Sequence, residues 1–225
     1  MKYIPRTLHI IRSCVVHFIL GGACCFTAFP FLWMAVSSLK TKEEVMAVDI
    51  FFPSDPQYQN YSEILFHSPI PRYLANSLLV AVSVVIIQVI CCALFTYAVT
   101  FMKAKGKNIL FRLVLFTYMV PTAVTYIPCY MILSRLGLLD SYGGLILSNG
   151  VSVFGIFLLH QAFAGVPSET MEAARMDGAG HLMILTRIIV PMTRPSFVTF
   201  ILLSFINTYN SYMWPSLITD SPDLS

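Results

Sequence analysis

A short polar segment at residues 172–178, with the sequence EAARMDG, stands between two long apolar stretches. Ile188 comes ten residues after Gly178, and Pro191 follows it closely. The chain shows no paired carboxylates, H-E-x-x-H motif or activated nucleophile at membrane depth, so this spacing does not support catalysis. A membrane protein rarely places small and polar residues between spans unless a partner outside the bilayer binds them. The segment is therefore a candidate for recognition of another protein.

Local signals predict a helix-turn-helix over residues 168–191. Pro167 and Ser168 form a helix start with Ser168 as its cap, and acids in the first turn complement the helix dipole. These features predict a short helix from Ser168 to Asp177. Gly178 then supplies turn angles that other residues disfavour, and Asp177 can cap the next helix, which runs toward the proline near the end of the segment.

The apolar side of the first of these helices has two interpretations. Met171 and Ala174, with Ala173 and Met176 beside them, give a small apolar surface at helical spacing. Such a surface permits the close approach of another protein. A connector packed against the spans of the same protein has the same pattern, so the sequence supports both interpretations equally.

The composition is that of a membrane protein. Hydrophobic residues make up 57% and charged residues 11% of the 225 residues, which is too apolar for a soluble domain. Five stretches free of charge are long enough for helices to cross about 30 Å of hydrocarbon, and prolines 121 and 128 predict kinks in the third. The sequence predicts an all-α, polytopic membrane helix bundle forming one domain over residues 1–225, with a first span too long for a signal peptide. The predicted spans are residues 13–39, 73–102, 113–134, 141–168 and 196–219.

The distribution of charge predicts the orientation. One set of loops carries ten bases and three acids, and the other carries four bases and eight acids. Because bases gather in cytoplasmic loops, the N-terminus and residues 168–191 are predicted to be cytoplasmic. The net charge of +3 therefore reflects topology and not nucleic-acid binding. The basic set comprises Lys2, Arg6, Arg12, Lys103, Lys105, Lys107, Arg112, Arg175, Arg187 and Arg194 with Glu169, Glu172 and Asp177; the other comprises Lys40, Lys42, Arg72 and Arg135 with Glu43, Glu44, Asp49, Asp55, Glu63, Asp140, Asp220 and Asp223.

The extracytoplasmic segment, residues 40–72, differs in character from the spans. Four prolines break it, its charged residues keep it in water, and its aromatic residues are expected to fold it onto the bilayer surface or a partner. It is either a connecting loop with a short helix near Tyr61 to Phe66 or a docking surface for an external protein.

Amide and aromatic side chains gather around the last predicted span. Asn207, Tyr209, Asn210 and Trp214 suit the hydroxyls and apolar ring faces of a sugar, and they are the candidate residues of a substrate pathway. Asn and Tyr also join membrane helices to one another, and a tryptophan can anchor a helix at the interface.

Two histidines lie within apolar stretches. His17 and His160 are functional candidates because hydrocarbon penalises an ionisable group, although neutral interhelical contacts have the same pattern. The six cysteines lack C-x-x-C spacing and are expected to be packing residues. No metal-binding constellation is visible.

The spacing around residues 172–191 resembles the Glu-Ala-Ala signature of permease subunits of bacterial ATP-binding-cassette importers, E-A-A-x3-G-x9-I-x-L-P. Val190 stands where that pattern has Leu. Similarity extends to the carbohydrate-uptake branch, the maltose and glycerol-phosphate permease type, over nearly the whole chain, although Tyr209 stands where tryptophan is usual. The similar stretches are FLWM at 31–34, SSLK at 37–40, NY at 60–61, NSL at 76–78, NTYN at 207–210 and WP at 214–215.

The resemblance implies a permease subunit of the bacterial cytoplasmic membrane that imports a sugar or oligosaccharide by alternating access. The implied partners are a second permease subunit, a cytoplasmic ATPase dimer that binds ATP and Mg, and an extracytoplasmic solute-binding protein; this chain itself would bind no cofactor and hydrolyse nothing. Permeases for glycerol phosphate, a polyol or a peptide, and a membrane-embedded enzyme, are the alternatives. The implied ATPase-coupling residues are Glu172, Ala173, Ala174, Asp177, Gly178, Ile188 and Pro191.

Members of this branch have six spans, whereas five are predicted here. The expectation is that the last transmembrane helix is missing from the sequence or is supplied from elsewhere.

Overall fold

The structure, a computed structural model, describes residues 6–47 and 50–221, with side chains from Arg12 onward. Three residues of the charge count, Lys2, Asp49 and Asp223, lie outside the described residues. The described ranges are helical without strands, which confirms the all-α prediction. The helices are α1 (Arg6–Ser37), α2 (Lys42–Met46), α3 (Gln59–His67), α4 (Ile70–Phe101), α5 (Lys107–Thr117), α6 (Thr122–Arg135), α7 (Tyr142–Ser148), α8 (Val153–Ala164), α9 (Ser168–Met176), α10 (His181–Ile184), a π-helical segment (Leu185–Ile189), α11 (Val190–Met192), α12 (Arg194–Tyr209) and α13 (Met213–Ile218).

The chain divides into two compact units, Met1–Pro71 and Arg72–Ser225. In the first unit, the Arg12–Ser37 part of α1 is long and apolar enough to cross a membrane. The segment after it is ordered by side-chain contacts to backbone atoms. Thr41 and Glu44 form a capping box at the start of α2, and Asn60 donates to the carbonyl oxygens of residues 38 and 40 at 3.0 and 3.2 Å.

Glu44 also closes the following loop of the first unit. Its Oε1 accepts a 3.0 Å hydrogen bond from the backbone N–H of Ser54, and its Oε2 accepts one from the N–H of Thr41. These donors, those of Ser54 first, hold the pKa of Glu44 below its usual value. The segment therefore contains two short helices, of which α3 covers the helix expected near Tyr61 to Phe66.

The second unit contains one unbroken long helix and several bent ones. The helix α4 is long and apolar enough to cross a membrane alone. Three bent pairs raise the number of candidate spans in the described residues from two to five if each pair is one span. The bent pairs are Lys107–Thr117 with Thr122–Arg135 (104°), Tyr142–Ser148 with Val153–Ala164 (45°), and His181–Met192 with Arg194–Tyr209 (86°).

The third predicted span departs most from the expectation of one kinked helix. The chain leaves α5 after Thr117 and starts α6 at Thr122, with Pro121 in the N-cap position. Proline cannot donate a backbone hydrogen bond, and it disfavours helical angles in the residue before it. The helix therefore breaks at Pro121, whereas α6 continues through Pro128. The last predicted span, 196–219, likewise comprises α12 and the short α13 with a break after Tyr209.

The core of the second unit joins α4, α8, α9, the α10–π segment and α12. Its largest fully buried side chains include Phe163 and Phe200. Gly155 in α8 lets α12 approach closely, because a Cβ built at this position would lie 2.2 Å from the Phe200 ring. This core is the surface on which α9 rests.

Candidate functional site

The helix α9 covers the predicted range almost residue for residue. Its N-cap position is Pro167, which makes no side-chain hydrogen bond, and Ser168 is already the first helical residue. The prediction that Ser168 caps the helix is therefore wrong. Glu169 lies in the first turn, as the dipole argument expects.

The end of α9 is a Schellman motif built on Gly178. This glycine has a φ of +80°, in the left-handed region that favours glycine. The N–H of Gly178 donates to the carbonyl of Arg175 at 3.0 Å, and the N–H of Ala179 donates to that of Ala174 at 2.9 Å. The turn role of Gly178 follows from this geometry. Asp177 belongs to the end of α9 and does not cap the next helix, whose N-cap is Gly180 without a side-chain bond.

The two faces of α9 have opposite environments. Met171 and Ala174 are 3% and 6% exposed and belong to the core of the second unit. On the other face Glu172 and Ala173 are exposed, and Met176 is 88% exposed. One face is thus the connector that the sequence pattern allowed, and the other has no partner among the described residues.

The remaining predicted coupling residues divide in the same way. Asp177 and Gly178 are exposed at the turn. Ile188 lies in the π-helical segment and packs against the core, while Pro191 in α11 is exposed. The structure therefore brings Ala174 and Ile188 into one core and leaves the others at the surface.

A chain of rings connects this region to the spans. Tyr97 in α4 contacts the His181 ring, with its hydroxyl 2.9 Å from Nδ1, and its ring lies 5.4 Å from that of Phe101. Phe101 stacks on Phe163 in α8, which contacts Phe197 in α12. The ring chain ties the first residue of α10 to three spans.

Arg175 adds a polar tie at the same place. Its guanidinium Nη2 lies 3.4 Å from the carbonyl oxygen of Phe101, at the last residue of α4. Tyr97, Phe101 and His181 were not among the functional residues predicted from the sequence. The four-residue spacing of the two rings on α4 is the only signal in the sequence that places them on one face.

A polar ladder runs along α4 toward α8. Three polar side chains, each four residues after the last, meet successive carbonyl oxygens around the break between α7 and α8. Gln88 Nε2 donates to the Asn149 carbonyl at 2.6 Å, Cys92 Sγ lies 3.4 Å from that of Ser152, and Thr96 Oγ1 lies 3.5 Å from that of Ile156. Gln88 also accepts from the hydroxyl of Ser204 in α12. Of these carbonyls, that of Asn149 lies at the break, that of Ser152 also accepts the first helical bond of α8 from Ile156 N–H, and that of Ile156 lies within α8. The ladder therefore joins α4 to the break and to the first turns of α8.

One turn beyond the ladder, the pattern stops. Thr100 Oγ1 and His160 Nδ1 are buried atoms without a hydrogen-bond partner among the described residues. The His160 ring stacks on Phe111 of α5 with centroids 4.0 Å apart. In α1, His17 Nδ1 lies 2.7 Å from the backbone oxygen of Ser13. Within the described ranges no group of three potential metal ligands occurs.

An open cavity of about 480 Å³, here called the outer cavity, lies between the start of α4, the end of α12 and α13. Tyr209, a predicted pathway residue, lines it, and Asn207 lines an adjoining cavity of about 170 Å³. Asn210 and Trp214 line neither. Asn210 donates to the backbone of its own helix, and Trp214 is buried, donates to Ser148 and stacks on Tyr126. The outer cavity is lined by Tyr73, Asn76, Ser77, Val80, Leu145, Thr208, Tyr209, Ser211, Tyr212, Pro215, Ser216 and Thr219.

The described residues contain two helices, or five spans if each bent pair is counted as one, that are long and apolar enough to cross a membrane, which is the architecture of a polytopic membrane protein. Residues 89–225 match the family described as the binding-protein-dependent transport system inner membrane component. The chain belongs to this family.

Individual relatives support the assignment over most of the chain. The arabinooligosaccharides transport system permease protein AraQ of Bacillus subtilis is 30% identical over 200 residues, covering 87% of this chain and 71% of its own. The sn-glycerol-3-phosphate transport system permease protein UgpE of Brucella abortus is 28% identical over 223 residues, covering 96% and 79%. The crystal structure of a bacterial ABC transporter that imports the acidic polysaccharide alginate has a chain with the same fold, with a TM-score of 0.87, 24% identity and coverage of 100% and 79%.

Family membership confirms the prediction of an ABC-importer permease of the carbohydrate-uptake type. It also confirms that the chain is a transport subunit and not an enzyme, with ATP hydrolysis on a separate subunit. A solute-binding protein and an ATPase are the partners that the family implies.

Proposed function

We propose that this chain imports a sugar or oligosaccharide across the bacterial cytoplasmic membrane and that α9 is its contact with the ATPase. The observation that carries the proposal is the division of α9 into a face packed on its own core and a bare face of Glu172, Ala173 and Met176. A helix with both faces engaged can pass a displacement from one partner to another.

The buried face supplies the route of the displacement. Met171 and Ala174 pack in the core of the second unit. Arg175 contacts the carbonyl oxygen of Phe101, and His181 contacts Tyr97, both in α4. When the ATPase dimer closes on ATP and Mg, the bare face moves with it and the ring chain moves α4, α8 and α12 together. The solute pathway then shifts between inward-facing and outward-facing states, which ligand and ATP stabilise to different extents.

The remaining partners follow from the same proposal. A second permease subunit completes the pathway, and an extracytoplasmic binding protein delivers the solute. The sugar class is supported by AraQ, whose name specifies arabinooligosaccharides. UgpE, named for glycerol phosphate, makes import of that solute the second candidate.

A bulky substitution on the bare face tests the coupling role. Ala173→Trp is expected to reduce co-purification of the ATPase about tenfold, the effect of losing about 1.4 kcal/mol of binding. Ala123→Trp, at an exposed position of α6, is the matched control and is expected to retain the ATPase. Equal recovery of the ATPase with both variants would contradict the contact at α9.

The proposed orientation has an independent test. An epitope at Met1 is expected to be shielded in intact cells, and one inserted after Asp55 is expected to be accessible to antibody, because bases mark the cytoplasmic loops. The reverse pattern of accessibility would place α9 outside the cell and remove it from any ATPase.

A further inference from the structure

The outer cavity combines apolar walls with an unusual number of hydroxyl and amide groups: nine of its twelve lining residues carry one. It is formed by the first three turns of α4, the last turn of α12 and the residues that follow, all in the second unit. Polar side chains in membrane spans face a protein partner, water or a solute, because hydrocarbon leaves their hydrogen bonds unmade. The clustering of hydroxyls here therefore indicates a surface for water or a polar solute.

The lining has the chemistry that binds carbohydrates. Tyr73, Tyr209 and Tyr212 offer rings for the apolar C–H faces of a sugar, and their hydroxyls can both donate and accept. Ser216 and Thr219 donate to backbone carbonyls at 2.9 and 2.8 Å, so their oxygens keep lone pairs that accept from solute hydroxyls.

The walls are held by contacts outside the cavity. Tyr142 donates to Asn76 Oδ1 at 2.9 Å, which fixes the orientation of that amide. The carboxylate of Asp140 accepts from the backbone N–H groups of residues 220 and 221, next to Thr219. A volume of about 480 Å³ lies within the range of small-molecule sites.

None of the lining residues carries a charge. Phosphates and carboxylates are ordinarily bound by Arg or Lys, often with two parallel hydrogen bonds. We propose that the outer cavity is a subsite for an uncharged carbohydrate or polyol and that it does not accept anionic solutes such as sugar phosphates and uronates. This inference rests on the proposed function and narrows its substrate class.

Protection of introduced cysteines tests the subsite. Ser77→Cys and Thr208→Cys place thiols in the cavity, and Ser134→Cys, at an exposed position near the end of α6, is the matched control. The purified complex with its companion permease and ATPase is labelled with a maleimide, with the unsubstituted chain as the background. Two probe mixtures are compared. The neutral mixture contains sucrose, maltose, arabinobiose and sorbitol, and the anionic mixture contains galacturonate, glucose 6-phosphate and sn-glycerol 3-phosphate.

The neutral mixture is expected to slow labelling of the two cavity cysteines about tenfold near nine-tenths occupancy, without changing the control. Protection by the anionic mixture, or by neither mixture, would overturn the proposal. In a second variant, Tyr209→Ala is expected to abolish protection, while Tyr130→Ala on α6 retains it. Co-purification of the ATPase in every sample separates a failed subsite from a failed proposed function.

Discussion

The region around α9 and the outer cavity lie at opposite ends of α4, and different contacts hold them. Near Phe101, rings and buried aliphatic side chains connect α9 and α10 to three spans. Near Tyr73, individual hydrogen bonds such as that from Tyr142 to Asn76 hold walls that remain open. Dense apolar packing yields little under a displacement, whereas hydroxyls can exchange one partner for another. The difference suits transmission of a displacement at the Phe101 end of α4, where α9 and α10 pack, and binding of a solute at the Tyr73 end.

The two ends share one scaffold, and its tightest point is the contact of Gly155 with Phe200. Gly155→Ala is expected to destabilise the second unit by about 1–3 kcal/mol, because the added carbon lies 2.2 Å from the ring and overpacks the core. Thermal unfolding in detergent measures the loss. Gly143→Ala is the control, since its Cβ would lie 3.7 Å from its nearest neighbour. Equal melting temperatures for the two variants would show that α8 and α12 are not closely packed.

A substitution at Gly178 tests whether the region around α9 and the outer cavity function independently. Gly178→Val forces a β-branched residue to a φ of +80°, at a cost of about 1–2 kcal/mol, and is expected to weaken ATPase co-purification. Protection of the outer cavity by neutral sugars is expected to persist. Gly180→Val is the control, because this position has a φ of −73° and open space around it. Loss of both properties would mean that the ends are not independent.

The region around α9 could be predicted from the sequence better than the outer cavity. A local pattern sufficed for α9, because proline, acids and glycine act within one turn of the helix that they begin or end. Tyr73, Asn76 and Tyr212 were missed, since only tertiary packing determines which face of α4 meets α13. Trp214 shows the converse: the sequence suggested it as a pathway residue, but it lines neither cavity and is buried with its N–H donated to Ser148.

The bends of the membrane spans could not be predicted from the sequence for a related reason. An uncharged stretch such as 113–134 specifies that lipid surrounds it but leaves open where it bends. Pro121 predicted a kink, and the 104° angle depends on how α5 and α6 pack after the break.

Protonation of Asp140 is expected to weaken its hydrogen bonds to residues 220 and 221 beside the outer cavity and to leave the region around α9 unchanged. The hydroxyl of Ser221, then the N–H groups of Ser221 and Asp220, lower the pKa of Asp140. The stabilisation from these hydrogen bonds to the Asp140 carboxylate is therefore complete above the usual pKa of a free aspartate. It is lost as pH falls through the lowered pKa of Asp140 in the folded state. Emission of Trp214, the sole tryptophan in a Trp33→Phe background, reports this change.

Asp140→Asn provides the control for this titration. Asn tolerates the φ of +51° at this position and keeps the shape of the side chain, but it has no charge to lose. Its emission is expected to stay constant over the pH range in which the parent changes. An identical acid transition in both proteins would assign the effect to another group.

The smallest expected effect is the difference between removing the hydroxyl of Thr96, the last residue of the ladder, and removing that of Thr100, one turn further along α4. Thr96→Val removes a hydroxyl that meets the carbonyl of Ile156, and interhelical hydrogen bonds in membranes average about 0.6 kcal/mol. Thr100→Val removes a hydroxyl that has no partner among the described residues, so its free energy of unfolding is expected to stay the same or rise slightly. Unfolding of both variants in one detergent measures the difference. A larger loss at Thr100 would show that its hydroxyl is bonded in the folded protein, and the ladder would then extend from Gln88 in the middle of α4 to the end of this helix near Phe101.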